Sequence, residues 1–169
     1  MSEQIKRYTH ATAYKIALEV IEQLKPYCER IEIAGSLRRK KADIGDIEIV
    51  AIPKPYSTGL LESGFATVVN KWEKVKGELP CKYTQRILPE GIKLDLFIAE
   101  EGNWGSILAT RTGSADYSYK VLANGWVRQG FKSDGGYLFR DGEKYEVKEE
   151  KDLFRLIGIP YVEPEYRNL

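Results

Sequence analysis

Residues 44–53, Ile-Gly-Asp-Ile-Glu-Ile-Val-Ala-Ile-Pro, constrain the fold more than any other stretch of this chain. β-Branched residues dominate them, and Pro53-Lys54-Pro55 closes the run, so the spacing predicts a strand that stops there. Side chains two apart on a strand point to the same side. Asp46 and Glu48 therefore share one face, while Ile47 and Ile49 turn together toward a core. Two neighbouring carboxylates repel, and a stable fold needs a cation between or near them.

The rest of the chain supplies what must pack around that strand. At 169 residues it suits one domain or two small packed subdomains and is long enough to bury a core without staples. With 43% hydrophobic and 30% charged residues it is not a disordered tail. Residues 12–29 place Ala13, Ile16, Ala17, Val20, Ile21 and Leu24 at helical spacing, with Thr9 or Thr12 as N-cap and Pro26 near the end. Residues 30–34 alternate as a strand that Gly35-Ser36 interrupts. Residues 65–75 are expected to form a helix with Val68, Val69, Trp72 and Val75 on one face. Residues 81–88 and 92–99 are expected to form a hairpin around Pro89-Glu90-Gly91. Beyond Glu101-Gly102-Asn103 the composition shifts. Helices over 104–110 and 115–129 flank Thr112-Gly113-Ser114, Asp141-Gly142 marks a second hairpin, and residues 151–157 form a closing helix. The expected class is α+β, with a mixed sheet and flanking helices in residues 1–101 and a smaller α+β unit in residues 102–169.

Charge and cysteine content set the boundaries of function. Lys+Arg number 26 against 25 Asp+Glu, so bulk charge does not call for nucleic acid, and any basic footprint must come from clustering. Cys28 and Cys81 form no spaced framework and fit a reducing compartment. The N-terminus has no signal-like apolar stretch and no run reaches membrane length, so a cytoplasmic monomer without a membrane partner is expected. The single histidine, His10, precedes a helix and suits a surface or capping role better than catalysis.

Three carboxylates carry the chemistry. Asp95 lies in Lys93-Leu94-Asp95-Leu96-Phe97-Ile98, where Leu94, Leu96 and Ile98 take one face and Lys93, Asp95 and Phe97 the other. Together with Asp46 and Glu48, Asp95 completes an oxygen-donor set of the kind that suits Mg²⁺, with Mn²⁺ as a substitute, and two such ions would serve an in-line phosphoryl-type displacement. The bland alternatives are a solvated acidic strand face and an ordinary pairing of Asp95 with Lys93 or a nearby arginine. Gly35 permits close backbone approach to phosphate oxygens at Ser36, and Arg38, Arg39, Lys40 and Lys41 supply cations beside the same turn.

Gly35-Ser36-Leu37-Arg38-Arg39 followed by Gly45-Asp46-Ile47-Glu48 resembles the nucleotidyltransferase signature of the DNA polymerase beta-like family X polymerases. Lys93-Leu94-Asp95, Thr112-Gly113-Ser114, residues 150–154 and Glu163-Pro164 with Arg167 extend the likeness in order, from about residue 5 to 168. The resemblance implies a catalytic palm followed by a nucleotide-binding lobe, in a minimal, virus-type form without a lyase domain. Asp46, Glu48 and Asp95 would be catalytic and metal-binding. Gly35, Ser36, Arg39, Gly45 and Arg7 would contact the triphosphate. Thr110, Arg111, Gly113 and Ser118 would lie at the sugar and base. Two departures stand out: Glu48 replaces the usual aspartate, and Thr110-Arg111 replace a Tyr-Phe pair, which leaves less bulk against a ribose 2′-hydroxyl.

The expected function is template-dependent addition of a nucleotide to a DNA primer 3′-hydroxyl with release of pyrophosphate, as in gap filling during DNA repair. Gapped or primer-template DNA and nucleoside triphosphates are the expected partners. Two alternatives share the same residues: nucleotide transfer to an RNA, protein or small-molecule acceptor, and an inactive nucleic-acid-binding module.

Overall fold

The computed structural model describes residues 6–55 and 64–169; the first five residues of the stretch inspected above for a leader, where the family resemblance also begins, lie outside them. The chain divides into two compact units, Met1–Ile98 and Ala99–Leu169. The class is α+β, with a mixed sheet and flanking helices.

In the first unit, β1 (Tyr8–Thr9) leads into α1 (His10–Leu24), and a 3-10 turn over Lys25–Tyr27 precedes β2 (Cys28–Ile33). Then come α2 (Gly35–Arg38), β3 (Asp43–Ile44), β4 (Asp46–Pro53), α3 (Gly64–Val69), β5 (Glu73–Lys76), β6 (Tyr83–Ile87) and β7 (Lys93–Ile98). Thr9 caps α1, its side chain accepting a hydrogen bond from the Thr12 amide at 3.2 Å. The buried side chains of α1, Ala13, Ile16, Ala17, Val20 and Leu24, follow the expected three-and-four spacing. They join one core with Ile47, Ile49 and Ala51 of β4 and Leu94 and Leu96 of β7. The apolar parity of the strands thus decides which face of the sheet lies on the helices.

That sheet runs β2-β4-β7-β6-β5. β4 and β7 are parallel, and the other three pairings are antiparallel. The expected hairpin is β6–β7. The expected helix over 65–75 is cut short, because α3 stops at Val69. Two tight turns, Lys71 N–H to Val68 O and Trp72 N–H to Val69 O, redirect the chain while Trp72 is still buried. Glu73-Lys74-Val75-Lys76 then adds to the free edge of β6 as an exposed strand with a bulge. Lysines on such an edge discourage pairing with another chain, and Lys74 stands on a strand where a helix was expected.

The second unit holds α4 (Trp104–Thr112) and a helix that begins as α5 (Ala115–Tyr117), widens into a π segment over Ser118–Ala123 and ends as α6 (Asn124–Arg128). A three-stranded antiparallel sheet follows: β8 (Lys132–Asp134), β9 (Tyr137–Arg140) and β10 (Glu143–Tyr145), with α7 (Glu150–Leu156) behind it. Asp141 and Gly142 both have positive φ, 51° and 75°, as a type I′ turn requires. β8 was not expected; its three residues are polar and exposed and show no alternation. Ala109, Tyr117, Leu122, Phe131, Leu138, Val147, Leu153, Phe154 and Ile157 form this unit's own core. Among the described residues, no helix is long and apolar enough to cross a membrane.

Candidate functional site

The parallel pairing of β4 and β7 sets Asp46 opposite Lys93 and Glu48 opposite Asp95. The β6–β7 register carries the second row on to Gln85. Register partners share a face, so Glu48, Asp95 and Gln85 form one row across three strands on the side away from the helices, with Asp46 and Lys93 in the next row. The acids expected on two strands are therefore on neighbouring strands and on one face.

Their side chains divide two to one. Asp46 and Asp95 meet, and Asp46 in its protonated form hydrogen-bonds to Asp95. Burial raises the Asp46 pKa above its ordinary value of 3.8; the negative charge of Asp95 and that hydrogen bond add to the rise, while Arg7 and Lys93 oppose it. Glu48 instead turns toward Gly35, where a Cβ would land on its carboxylate. Gly35 has φ +63°, a left-handed conformation that favours glycine. Arg39 lies near Glu48, whose charge offsets part of the lowering that burial imposes on the guanidinium. Among the described residues, no three His, Cys, Asp or Glu side chains converge closely enough to hold a metal ion. The expected three-acid cluster is thus an Asp46–Asp95 pair with Glu48 held aside. The physical reason is repulsion: three carboxylates on one face cannot all approach one another, and Glu48 turns toward Gly35 and Arg39. The donor chemistry fits a hard divalent cation: Asp46 and Asp95 bring carboxylate oxygens together, and Glu48 is the register partner of Asp95 on the same face.

Arg7 lies beside the pair. Its Nε donates to Asp43 Oδ2 at 2.8 Å and its Nη2 to the Asp43 carbonyl at 3.3 Å. Both side chains are exposed, so this ion pair adds little stability; what it does is aim the guanidinium. A Cβ at Gly45 would stand 2.6 Å from Arg7 Nη1, so Gly45 is what lets Arg7 pass close to the strand. Ser36 is half-buried in α2, one turn of helix where an irregular turn was expected. His10 stacks on Tyr14 with ring centroids 5.8 Å apart, and its Nε2 lies 3.3 Å from the Leu37 carbonyl.

Asp95 is 7% exposed, and its Oδ1 accepts two hydrogen bonds, from the Tyr83 hydroxyl at 2.5 Å and from Gln85 Nε2 at 2.8 Å. Neither donor was among the expected site residues. Their signal was present in the alternation of β6, but it becomes readable only once the β6–β7 register is known.

The Thr-Gly-Ser turn belongs to the second unit. Thr110 is half-buried near the end of α4, and its carbonyl accepts a hydrogen bond from Ser118 Oγ at 2.7 Å. The Ser118 hydroxyl proton is therefore committed, and toward a base it offers only lone pairs. Arg111 is exposed. A Cβ at Gly113 would stand 2.8 Å from Tyr117 Cδ1 and 2.9 Å from Ser118 Oγ, so glycine allows the helix to start close against the turn. Ser114 Oγ caps that helix by accepting from the Tyr117 amide at 3.1 Å. Tyr117 is a core residue, whereas Tyr119 is 66% exposed.

Residues 107–168 match the family model of the DNA polymerase beta thumb. That stretch contains Thr110, Arg111, Gly113 and Ser118. That stretch is similar to the thumb of DNA polymerase beta. DNA polymerase IV of Saccharomyces cerevisiae is 33% identical to it over 82 residues, which is 46% of this chain and 13% of the yeast protein. The chain thus matches only a small part of that curated relative's length. Leishmania infantum polymerase beta, solved as a ternary P/T complex, has the same fold, with a TM-score of 0.75 at 18% identity over 97% of this chain and 77% of that one.

The raised Asp46 pKa has a consequence for stability. A carboxyl whose pKa is higher folded than unfolded binds more protons in the folded state, so metal-free stability falls as pH rises from about the ordinary 3.8 through the raised value and then levels off. Thermal unfolding in chelator should show the wild type gaining on Asp46→Asn as the solution is acidified across that window. A difference between the two proteins that is independent of pH would contradict the assigned shift.

Proposed function

We propose that this chain transfers a nucleotide from a nucleoside triphosphate to the 3′-hydroxyl of a DNA primer under direction of a template, with gap filling in repair as its role. The observation that carries the reading is the Asp46–Asp95 pair on adjacent parallel strands, with Arg7 beside it. The thumb match and the likeness to a DNA polymerase support DNA as the acceptor.

In this reading Asp46, Glu48 and Asp95 hold divalent metal, Mg²⁺ or Mn²⁺, with Asp95 nearest the primer hydroxyl. Metal bound there would make the 3′-hydroxyl more acidic and neutralise charge developing on the phosphates. Arg7, Arg39, Gly35, Ser36 and Gly45 hold the triphosphate in line, the arginines as planar donors and the glycines by letting backbone and guanidinium approach. The 3′-oxygen attacks the α-phosphorus, the bond from that phosphorus to the bridging oxygen breaks, and pyrophosphate leaves. Thr110, Arg111, Gly113 and Ser118 are assigned to the sugar and base.

Labelled nucleotide should be incorporated on a one-nucleotide-gapped duplex with Mg²⁺ or Mn²⁺, and the inserted base should follow the template. Label appearing only on RNA or protein acceptors would overturn the DNA reading in favour of another nucleotidyltransferase. DNA binding without transfer to any acceptor would leave a binding module.

A further inference from the structure

The two hydrogen bonds to Asp95 Oδ1 have no part in the reading above. They arise because three strands place Tyr83 and Gln85 of β6 on the same face as Asp95, with Gln85 its direct register partner and Tyr83 the diagonal one. Tyr83 is itself held: its ring stacks on Phe97 with centroids 5.0 Å apart and an interplanar angle of 21°, and Lys76 Nζ lies 5.3 Å from the ring centroid on the β5 side. Phe97 is buried, so the phenol is anchored through its ring while its hydroxyl points along the sheet to the carboxylate. Gln85 brings an amide donor to the same oxygen from Asp95's own row.

We infer that Tyr83 and Gln85 are positioning residues for Asp95, occupying Oδ1 so that the carboxylate beside Asp46 keeps one orientation. The inference rests on the reading of Asp95 as a metal ligand. A ligating carboxylate with a free side-chain torsion can swing toward Lys93, its in-strand neighbour two residues away, and two donors on one oxygen remove that freedom. Both donors also satisfy a buried acceptor, which a nearly buried carboxylate requires whether or not a cation is bound. Partners that hold a ligating group in this manner typically contribute ten- to a hundredfold in metal affinity or activity.

The test uses the full chain and Mn²⁺ as the probe. Tyr83→Phe keeps the ring stack and removes only the hydroxyl; Gln85→Leu keeps the bulk and removes the amide. Mn²⁺ affinity by electron paramagnetic resonance, kcat and nucleotide KM on a gapped duplex, and the urea midpoint in chelator are measured for each. The expected result is a loss of about ten- to a hundredfold in Mn²⁺ affinity and kcat for both variants, with KM and the urea midpoint little changed. In an Asp95→Asn background, Tyr83→Phe should cost nothing further, because the oxygen it orients no longer ligates. Unchanged Mn²⁺ affinity and kcat in both variants, while Asp95→Asn loses both, overturns the positioning role and leaves the ligand reading intact. Full Mn²⁺ affinity in Asp95→Asn overturns the ligand reading and the inference with it. A loss that tracks a lowered urea midpoint in both variants assigns the two residues to the fold and also overturns the inference.

Discussion

Asp46→Ala and Asp95→Ala should each lower nucleotide transfer at least about a thousandfold, on the scale of the several kcal/mol that a ligated cation contributes to a phosphoryl-type transition state. The same substitutions should leave the metal-free protein as stable as the parent or more so. Burial and mutual repulsion raise the Asp46 pKa, so above that pKa the folded state carries two carboxylates that the unfolded chain would keep apart in water. Removing either relieves the repulsion. Loss of activity with retained or increased stability separates a ligand from a structural acid, because deleting a structural acid lowers both. Near-normal kcat in a folded Asp46→Ala or Asp95→Ala would end the metal assignment.

The second large effect is expected in the second unit. Arg167 is fully buried and pairs through Nη1 with Glu150, whose side chain is 8% exposed. Its Nε donates to the Val162 carbonyl at 2.8 Å, and its guanidinium lies over the rings of Phe154 and Tyr161 at 5.1 and 5.2 Å. Arg167→Ala leaves Glu150 buried without its cation, a change that costs about 3–5 kcal/mol, whereas replacing both partners by apolar residues of similar size is often neutral. Urea unfolding should therefore show a large loss for Arg167→Ala and recovery of most of it in Arg167→Met combined with Glu150→Leu. The pair also bears on the Thr-Gly-Ser turn: the Ser114 amide donates to the Arg167 carbonyl at 3.0 Å, and the Leu169 amide to Ser114 Oγ at 3.2 Å. Equal losses in the single and double variants would mean that the guanidinium's ring contacts, and not its charge, hold the tail.

Much of the architecture was legible along the chain because it depends on local period and turn chemistry. The threes and fours of α1, the alternation of β4 and β7 and the Asp141-Gly142 turn each act within a few residues. Where the expectation failed, packing overrode the local pattern. Residues 73–76 carried the tail of a helical stripe, yet Glu73-Lys74-Val75-Lys76 joins β6, because a free sheet edge offers its backbone partners that a frayed helix end does not. β8 had no period to detect.

The candidate site divides along the same line. The sequence alone determined that Asp46 and Glu48 face one way, that Asp95 faces away from Leu94 and Leu96, and that Gly35 permits close backbone approach, since side-chain parity and the absence of a Cβ are properties of the residues themselves. Only the tertiary structure decided that β4 and β7 are parallel neighbours, which brings Asp46 to Asp95, turns Glu48 toward Gly35 and places Tyr83 and Gln85 on Asp95. Alternation says which face a side chain takes but not which strand lies beside it. That choice is made by the apolar faces of several strands packing together on α1.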